Sequence, residues 1–187
     1  MRALLVGLAL VVIGGAVWVL NTAAAAPLKP GDSAPDFSLV AAVGGKTFTF
    51  ILSEALKKGP VALYFYPKSF TPGCTQEAHD FAESAPDFAQ AGASLIGVSA
   101  DSIETQVEFS SKECRDTFPV GADPDARVIR AYRAQMFDVA GMALSNRISY
   151  VIAPDGKILL AYQDSAPAPH IEKTLAAVRQ WRSAHPK

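Results

Sequence analysis

Two largely apolar runs constrain the fold of this chain more than any other feature. The first is VALYFY at residues 61–66, and the second is SLIGVSA at residues 94–100. Continuous runs of this length are typical of strands that are buried on both faces of a sheet. The intervening residues 76–90 have the apolar spacing of a helix, although Pro86 is a potential break. The pattern predicts an α/β fold in which helices cover a central sheet.

Two further segments predict hairpins. APDFSL (34–39) and KTFTF (46–50) flank a pair of glycines, and residues 148–162 place two strands around a Pro-Asp-Gly turn. A hairpin beside strands that are joined by helices implies a mixed sheet, with the N-terminal hairpin as an extension of it. Residues 136–146 have no clear period, and we predict a loop there. The other predicted elements are helices at 53–59, 102–113, 123–133 and 168–182 and a short strand at 118–120.

Composition excludes several classes of function. The 187 residues are enough for one domain with a buried core, which we assign to residues 27–187. With 17 basic and 18 acidic side chains, nothing in the charge balance indicates a nucleic-acid surface or an acidic tail. Three histidines and two cysteines are too few and too scattered for a structural zinc site, and they form no Cys-x-x-Cys pair. We therefore expect no metal or other cofactor.

Residues 1–26 have the character of a targeting segment. Arg2 precedes an apolar run from Ala3 to Leu20, and a small-residue stretch follows that offers cleavage near Ala25 or Ala26. The apolar run is long for a signal peptide and just long enough for a membrane helix, so a cleaved signal peptide and a retained N-terminal anchor are both open. Either alternative places the rest of the chain outside the cytoplasm, and we expect a periplasmic location.

One cysteine occupies the turn between the first buried strand and the following helix. Thr71-Pro72-Gly73-Cys74 is typical of a helix start, because threonine is a good N-cap and proline is favoured in the first helical position. Cys74 would then lie in the first turn, where the helix dipole and unpaired backbone N–H groups favour the thiolate. The thiolate is the nucleophilic form of cysteine, so this position suits a reactive residue. The alternative is that Cys74 is a small buried apolar residue.

The residues around Cys74 resemble the active site of a known family. Pro67, Thr71 and Cys74 form the pattern Pro-x-x-x-Thr-x-x-Cys of the peroxiredoxins. The fuller string YFYPKSFTPGCTQEAHDF is similar to the peroxiredoxin Q, or bacterioferritin comigratory protein, branch of the AhpC/TSA superfamily. Similarity extends over most of residues 30–182 and includes the strings GDSAPDFSL, LIGVSADS, DPDARVIRAY and NRISYVIAPDGKI. The resemblance implies a thioredoxin-like fold and a peroxidase that reduces hydrogen peroxide and organic hydroperoxides. It also implies recycling by thioredoxin or a thioredoxin-like protein, in a monomer or a homodimer.

The resemblance assigns a role to each matching residue. Cys74 is implied to be the peroxidatic nucleophile, which becomes a sulfenic acid. Thr71 would hold the thiolate and the attacked oxygen, and Pro67 would shield the site from water. Arg147 matches the arginine whose guanidinium stabilises the thiolate and the charge on the leaving oxygen. Glu77 lies one helical turn after Cys74 and is predicted to orient an arginine.

The second cysteine leaves the fate of the sulfenic acid open. Relatives often carry a resolving cysteine five residues after the first, where this chain has His79. Five helical residues rotate by about 500°, so we predict that His79 points away from Cys74 and lies at the helix surface or an interface. Some relatives place the resolving cysteine in a later helix, and Cys114 at the end of the predicted helix 102–113 is the candidate. The alternative is a one-cysteine cycle in which an external thiol resolves Cys74.

Three rival functions fit the residues less well than a peroxidase does. A thiol–disulfide reductase or chaperone needs Cys-x-x-Cys, and the residue at that spacing after Cys74 is Glu77. A copper-delivery protein of the same fold needs Cys-x-x-x-Cys and a later histidine, but Ala78 occupies that position and His170 is isolated. A binding module that keeps only the fold would not need the complete set of proline, threonine, cysteine and arginine.

Overall fold

A mixed seven-stranded sheet forms the centre of the molecule. The computed structural model describes residues 10–13, 16–19, 26–139 and 142–186. The strands are β1 Leu10–Ile13, β2 Ala16–Val19, β3 Ser38–Val43, β4 Lys46–Ile51, β5 Val61–Phe65, β6 Ser94–Ser99, β7 Val120–Ala122, β8 Gln135–Val139, β9 Met142–Ser145, β10 Ile148–Ile152 and β11 Ile158–Gln163. The helices are α1 Leu52–Leu56, α2 Pro72–Gln90, α3 Ile103–Lys112, α4 Arg127–Ala131 and α5 Ala168–Ala184.

The strand order of the central sheet is β11-β10-β5-β6-β7-β3-β4. β6 pairs in parallel with β5 and β7, and the other neighbours are antiparallel. The two predicted apolar runs, β5 and β6, are therefore adjacent in the middle of the sheet. The predicted N-terminal hairpin is also confirmed: β3 and β4 are joined through Gly44 and Gly45, whose φ angles of 56° and 71° suit glycine. Because β3 pairs with β7, this hairpin extends the sheet at one edge.

Alternate residues of β5 divide the core into two clusters. Val61, Leu63 and Phe65 pack with buried residues of α1 and α4 on one face of the sheet. Ala62 and Tyr64 pack with buried residues of α2, α3 and α5 on the other face. Side chains alternate across a strand, so one buried strand supplies both cores. The predicted α/β architecture, a mixed sheet between helices, is thereby confirmed.

The prediction of a loop at residues 136–146 is wrong. β8 and β9 form an antiparallel hairpin there, with Gln135 opposite Ser145 and a register irregularity after Gln135. Each strand is short, so the alternation of residue types extends over too few positions to be recognised from the sequence. The hairpin leads directly into β10.

Two predicted helices have different limits in the structure. The helix expected at 123–133 is confined to Arg127–Ala131, because Asp123 remains outside it and its carboxylate accepts hydrogen bonds from the backbone N–H groups of Arg127 and Val128 at 3.0 and 2.9 Å. Pro86 does not interrupt α2, which continues to Gln90. A proline removes one backbone donor from a helix, and the burial of Phe81 and Phe88 on this helix offsets that loss.

The predicted signal peptide or anchor at residues 1–26 lies mostly outside the described residues. Within it, β1 and β2 pair antiparallel, with Leu10 opposite Val19. Among the helices that the structure describes, none has both the length and the apolar character that crossing a membrane requires.

Candidate active site

Cys74 lies in the first turn of α2, after the loop that follows the central strand β5. Thr71 is the N-cap residue with an extended backbone, φ −81° and ψ 148°, and Pro72 is the first helical residue, as the sequence predicts. The first helical hydrogen bond runs from the N–H of Thr75 to the carbonyl of Thr71 at 2.8 Å. Cys74 is therefore among the residues whose N–H groups have no carbonyl partner within the helix. Its side chain is buried, with 2% exposed.

The hydroxyl of Thr71 has a different partner from the one expected of an N-cap. It does not cap α2 but donates to the carbonyl of Lys68 at 2.9 Å. Because its proton is committed to that carbonyl, the Thr71 oxygen remains a hydrogen-bond acceptor. The cap of α2 thus depends on the backbone of Thr71 and on Pro72.

Buried polar groups hold the loop between β5 and α2, and sequence reasoning missed them. The hydroxyl of Tyr66 donates to Gln106 Oε1 at 2.8 Å, and the N–H of Ser69 donates to Asp101 Oδ2 at 2.7 Å. The hydroxyl of Ser145 donates to the Tyr66 carbonyl at 2.7 Å. A buried hydrogen bond that is lost leaves an unsatisfied group, so these contacts fix the loop that carries the site. In the sequence, the only indication of these buried polar groups is that polar residues follow the apolar runs.

Arg147 reaches Cys74 because β10 runs antiparallel to β5. Ile148 lies opposite Phe65, so Arg147 lies beside the end of β5 from which the loop leads to α2. Its Nη2 is 3.5 Å from the Sγ of Cys74, and its Nε donates to the carbonyl of Ser165 at 3.1 Å. Its Nη1 donates to the carboxylate of Glu77. The structure therefore brings together three of the predicted residues, Cys74, Arg147 and Glu77.

Gly73 permits this approach and was not singled out by the sequence analysis. A Cβ at position 73 would lie 3.2 Å from Nη2 of Arg147, closer than side chains normally tolerate. The absence of a side chain at Gly73 therefore leaves room for the guanidinium to reach Cys74.

Two acidic groups, Glu77 and Cys74, contact the buried guanidinium of Arg147. Glu77 is fully buried, and burial raises its pKa to about 8 although the charge and hydrogen bond of Arg147 act in the opposite direction. Burial lowers the pKa of Arg147, but Glu77 and Cys74 outweigh that effect and the net direction is upward. Oε1 of Glu77 has no hydrogen-bond partner within the described chain. The permanently charged guanidinium can stabilise a thiolate on Cys74 and the developing charge of a reaction.

A cavity of about 590 Å³ opens beside Arg147. Pro67 forms part of its wall and is half-buried, which is consistent with a role in limiting the access of water. The cavity is lined by Pro67, Met136, Asn146, Arg147, Gln163, Asp164 and Ser165. A small substrate that enters here meets the guanidinium that contacts Cys74.

Cys114 follows the end of α3 and is a second free, fully buried thiol. It belongs to the same hydrophobic cluster as Cys74, on the same face of the sheet. Burial, and then the charge of Glu113, raise the pKa of Cys114. His79 of α2 lies at this interface, with its Nε2 2.8 Å from Oε2 of Glu113. The structure thus joins α2 to the segment that carries Cys114.

Comparison with known proteins identifies the family. The AhpC/TSA family matches residues 30–161, which is more than half of the chain. The chain belongs to the AhpC/TSA family. A chloroplastic peroxiredoxin Q of Sedum lineare is 32% identical over 151 residues, which cover 80% of this chain and 77% of that protein. The peroxiredoxin interpretation of the sequence is confirmed.

Solved structures give the same result for the fold. The crystal structure of peroxidoxin BcpB from Mycobacterium tuberculosis is similar with a TM-score of 0.74 and 32% identity, covering 82% of this chain and 97% of that one. A structure of the bacterioferritin comigratory protein of Xanthomonas campestris, concerned with its alkyl peroxide reduction activity, has a TM-score of 0.68 and 30% identity and covers 78% and 92% of the two chains. The chain is a thioredoxin-fold peroxiredoxin of the peroxiredoxin Q branch and a thiol-dependent peroxidase. This function is favoured over the thiol–disulfide and metal-handling alternatives.

Proposed function

We propose that Cys74 is the peroxidatic cysteine, with Arg147 as its electrostatic partner and Cys114 as its resolving cysteine. The observation that carries the proposal is the 3.5 Å approach of the Arg147 guanidinium to Cys74 Sγ in the first turn of α2, beside a cavity. A cation and a helix N-terminus both favour the thiolate, which is the form that attacks peroxides. Glu77 orients the guanidinium through Nη1.

The first step transfers one oxygen atom to sulfur. The Cys74 thiolate attacks the terminal oxygen of the hydroperoxide, so that an S–O bond forms as the O–O bond breaks. The transferred oxygen keeps its proton and gives Cys74 sulfenic acid. The leaving hydroxide or alkoxide takes a proton from water, and Arg147 stabilises its charge as it develops. The Thr71 oxygen can accept the O–H of the peroxide while its own hydroxyl still donates to the Lys68 carbonyl.

The second step forms a disulfide. Cys114 loses its proton, its sulfur attacks Sγ of Cys74, and the departing hydroxide leaves as water with that proton. A disulfide requires Cα atoms within about 7 Å. Both thiols are free and buried in this structure, so we expect the first turn of α2 or the segment after α3 to move as the bond forms. Membership of one hydrophobic cluster supports the pairing, because neither thiol has to cross the sheet. A dithiol reductant, thioredoxin or a thioredoxin-like protein, then restores both thiols.

Both hydrogen peroxide and organic hydroperoxides are proposed substrates. The cavity has room for an organic group, and the exposed Met136 supplies an apolar part of its wall. The similar protein of Xanthomonas campestris is described by its alkyl peroxide reduction activity, which supports the same substrate class for this chain. We propose antioxidant defence as the role of this reaction.

The location of the enzyme is proposed from its N-terminus. The basic residue, apolar run and small residues of 1–26 support export, and we infer a periplasmic domain that is released or anchored by this segment. The intact mass of the protein from fractionated cells distinguishes the two. A chain that begins near Ala26 means a cleaved signal peptide, and a full-length chain in the membrane fraction means an anchor. A full-length chain in the cytoplasmic fraction would contradict export. Size-exclusion chromatography with light scattering distinguishes monomer from homodimer.

The catalytic proposal is tested by intact mass and non-reducing peptide mapping after one equivalent of hydrogen peroxide. We expect a loss of two hydrogens and a Cys74–Cys114 peptide. Cys114→Ser should instead accumulate one added oxygen on Cys74, and Cys74→Ser should consume no peroxide. An oxygen on Cys74 of the unmodified protein, with Cys114 still free, would exclude the resolving role. Peroxide consumption by Cys74→Ser would exclude the whole proposal.

A further inference from the structure

His170 is a fully buried histidine in the first turn of α5, on the same face of the sheet as Cys74. Its Nδ1 is 2.8 Å from Oγ of Ser149, and its Nε2 is 3.1 Å from the carbonyl oxygen of Asp164. A carbonyl only accepts hydrogen bonds, so Nε2 must carry the proton. In the neutral ring Nδ1 is then the acceptor for the Ser149 hydroxyl. The two contacts together select one tautomer and one orientation of the ring.

The two partners of His170 lie next to the two points at which Arg147 is anchored. Ser149 is on β10, two residues after Arg147, which immediately precedes that strand. Asp164 immediately precedes Ser165, whose carbonyl accepts the Nε–H of Arg147 at 3.1 Å. The histidine ring therefore connects the strand that directly follows the arginine to the turn whose carbonyl accepts the arginine's hydrogen bond.

Apart from the Arg147 contact, the hydrogen bonds of the Asp164 carboxylate within the described chain restrain the 164–165 turn only locally. The carboxylate of Asp164 accepts the backbone N–H of Ala166 at 2.8 Å and the hydroxyl of Tyr162 at 3.3 Å, and both contacts are local and exposed. The contact with His170 joins this turn to the buried core. Loss of that contact would leave the Ser165 carbonyl free to shift relative to Arg147.

The charges around His170 favour the neutral ring. Burial lowers the pKa of His170, and the positive charge of Arg147, just before β10, adds to that effect. The backbone contact and the charge of Asp164 after β11 act in the opposite direction without reversing it. The ring of Tyr162 packs edge-on against the imidazole at 4.9 Å. A neutral histidine keeps Nδ1 as an acceptor and adds no second cation behind Arg147.

We propose that His170 is a positioning residue of the peroxidase site, which holds the Asp164–Ser165 turn so that the Ser165 carbonyl fixes the Arg147 guanidinium against Cys74. This inference rests on the proposed role of Arg147. It assigns His170 no contact with the peroxide, and its effect on the reaction passes through the arginine. The alternative is that His170 only stabilises the start of α5.

Two substitutions separate these alternatives. In His170→Gln the side-chain N–H₂ can reach the position of Nε2 and still donate to Asp164. In His170→Asn the side-chain oxygen can replace Nδ1 as the acceptor for Ser149, but the donor to Asp164 is lost. Both remove the ring, so both disturb packing. His185→Asn makes the same change at the exposed end of α5 and serves as the control.

The readouts are the second-order rate constant with hydrogen peroxide and the rate of Cys74 alkylation by iodoacetamide at pH 7. We expect His170→Asn to lower both by about tenfold, because a guanidinium that is displaced by a fraction of an ångström stabilises the thiolate less well. His170→Gln should recover most of both rates, and His185→Asn should match the unmodified protein. Should neither His170 variant fold, Ser149→Ala keeps the ring and removes only its Nδ1 contact, and a reduction of both rates by about twofold is expected.

The outcomes distinguish this inference from the proposed function. If Arg147→Lys loses activity but His170→Asn keeps both rates, His170 is structural and the inference is wrong. Equal loss in the Asn and Gln variants would also overturn it, because the contact with Asp164 would then be irrelevant. If the His170 variants do not fold, unchanged rates in Ser149→Ala overturn it. A normal rate in Arg147→Lys overturns the role of the arginine and, with it, that of His170.

Discussion

Nη2 of Arg147 lies 3.5 Å from Sγ of Cys74, although the two residues are 73 positions apart. The same guanidinium also binds Glu77 and the carbonyl of Ser165. The guanidinium of arginine is planar and forked, so it can make these three contacts in three directions. Together they fix where its charge lies. The thiolate of Cys74 and the leaving oxygen of a peroxide can then share one preorganised cation.

Arg147→Lys should therefore lower the second-order rate constant with hydrogen peroxide by about 100-fold, because a single ammonium cannot make all three contacts. Peroxide consumption with excess reductant at pH 7 measures this rate. Arg179→Lys is the matched control, since Arg179 forms an exposed ion pair with Asp87 at 2.9 Å. A rate within twofold of the unmodified enzyme for Arg147→Lys would contradict the assigned role.

Gly73→Ala should lower the activity of the enzyme without lowering its stability. Alanine favours the helix over glycine by about 0.5–1 kcal/mol, so the free energy of unfolding should not fall. The new Cβ would lie 3.2 Å from Nη2 of Arg147, and the guanidinium would have to move by a few tenths of an ångström. We expect the peroxide rate constant to fall by about tenfold. Urea denaturation and peroxide kinetics on one preparation give both values, and an unchanged rate would show that the arginine accommodates the methyl group.

The main elements of the fold were predictable because they are strongly patterned. The largely apolar runs at 61–66 and 94–100 favour central strands, and the Pro-Asp-Gly turn within 148–162 predicts its hairpin. The hairpin β8–β9 was missed because its strands are short. α4 was predicted too long because Asp123 caps the helix from a position well before its first turn.

The site was predictable only in part. Local sequence and family resemblance indicated Cys74, Arg147 and Glu77, and the order of β5 and β10 in the sheet explains why they meet. Gly73 and His170 could not be recognised, since their importance depends on which side chains lie against them in space. The distance from one residue to a partner on another strand depends on sheet topology, and one sequence does not specify that topology.

Tyr64 and Tyr66 allow a matched test of buried hydroxyl groups. Both side chains are buried in the same cluster, but within the described chain the Tyr64 hydroxyl has no hydrogen-bond partner, whereas that of Tyr66 donates to Gln106 at 2.8 Å. Tyr64→Phe should raise the free energy of unfolding by about 1 kcal/mol, because it removes an unsatisfied polar group. Tyr66→Phe should lower it by about 1–2 kcal/mol, because Gln106 Oε1 loses its closer donor and keeps only the Ser69 hydroxyl at 3.4 Å. Urea denaturation measures both, and equal destabilisation by the two changes would mean that the Tyr64 hydroxyl has a partner.

Glu77 should make the stability of the enzyme depend on pH. Its pKa is about 8 in the folded protein, against an ordinary value of 4.5, and burial is the main cause. Between these two pH values the folded state holds a proton that the unfolded chain has released. The free energy of unfolding contributed by this group is therefore fully present below about pH 4.5 and is lost as the pH rises towards 8, by at most about 1.4 kcal/mol per pH unit.

Glu77→Gln cannot titrate and should remove this contribution. We expect the free energy of unfolding of the unmodified protein to fall more steeply than that of Glu77→Gln between pH 5 and pH 8, with the two most alike near pH 5, where Glu77 is protonated. Urea denaturation at each pH unit measures the difference in free energy of unfolding between the two proteins. The contributions of all other titrating groups cancel in this difference. Glu83→Gln on the same helix is the control, because Glu83 is exposed and forms a surface ion pair with Arg115. Parallel curves for Glu77→Gln and the unmodified protein would show that Glu77 is ionised throughout this range, with Arg147 fully compensating its burial.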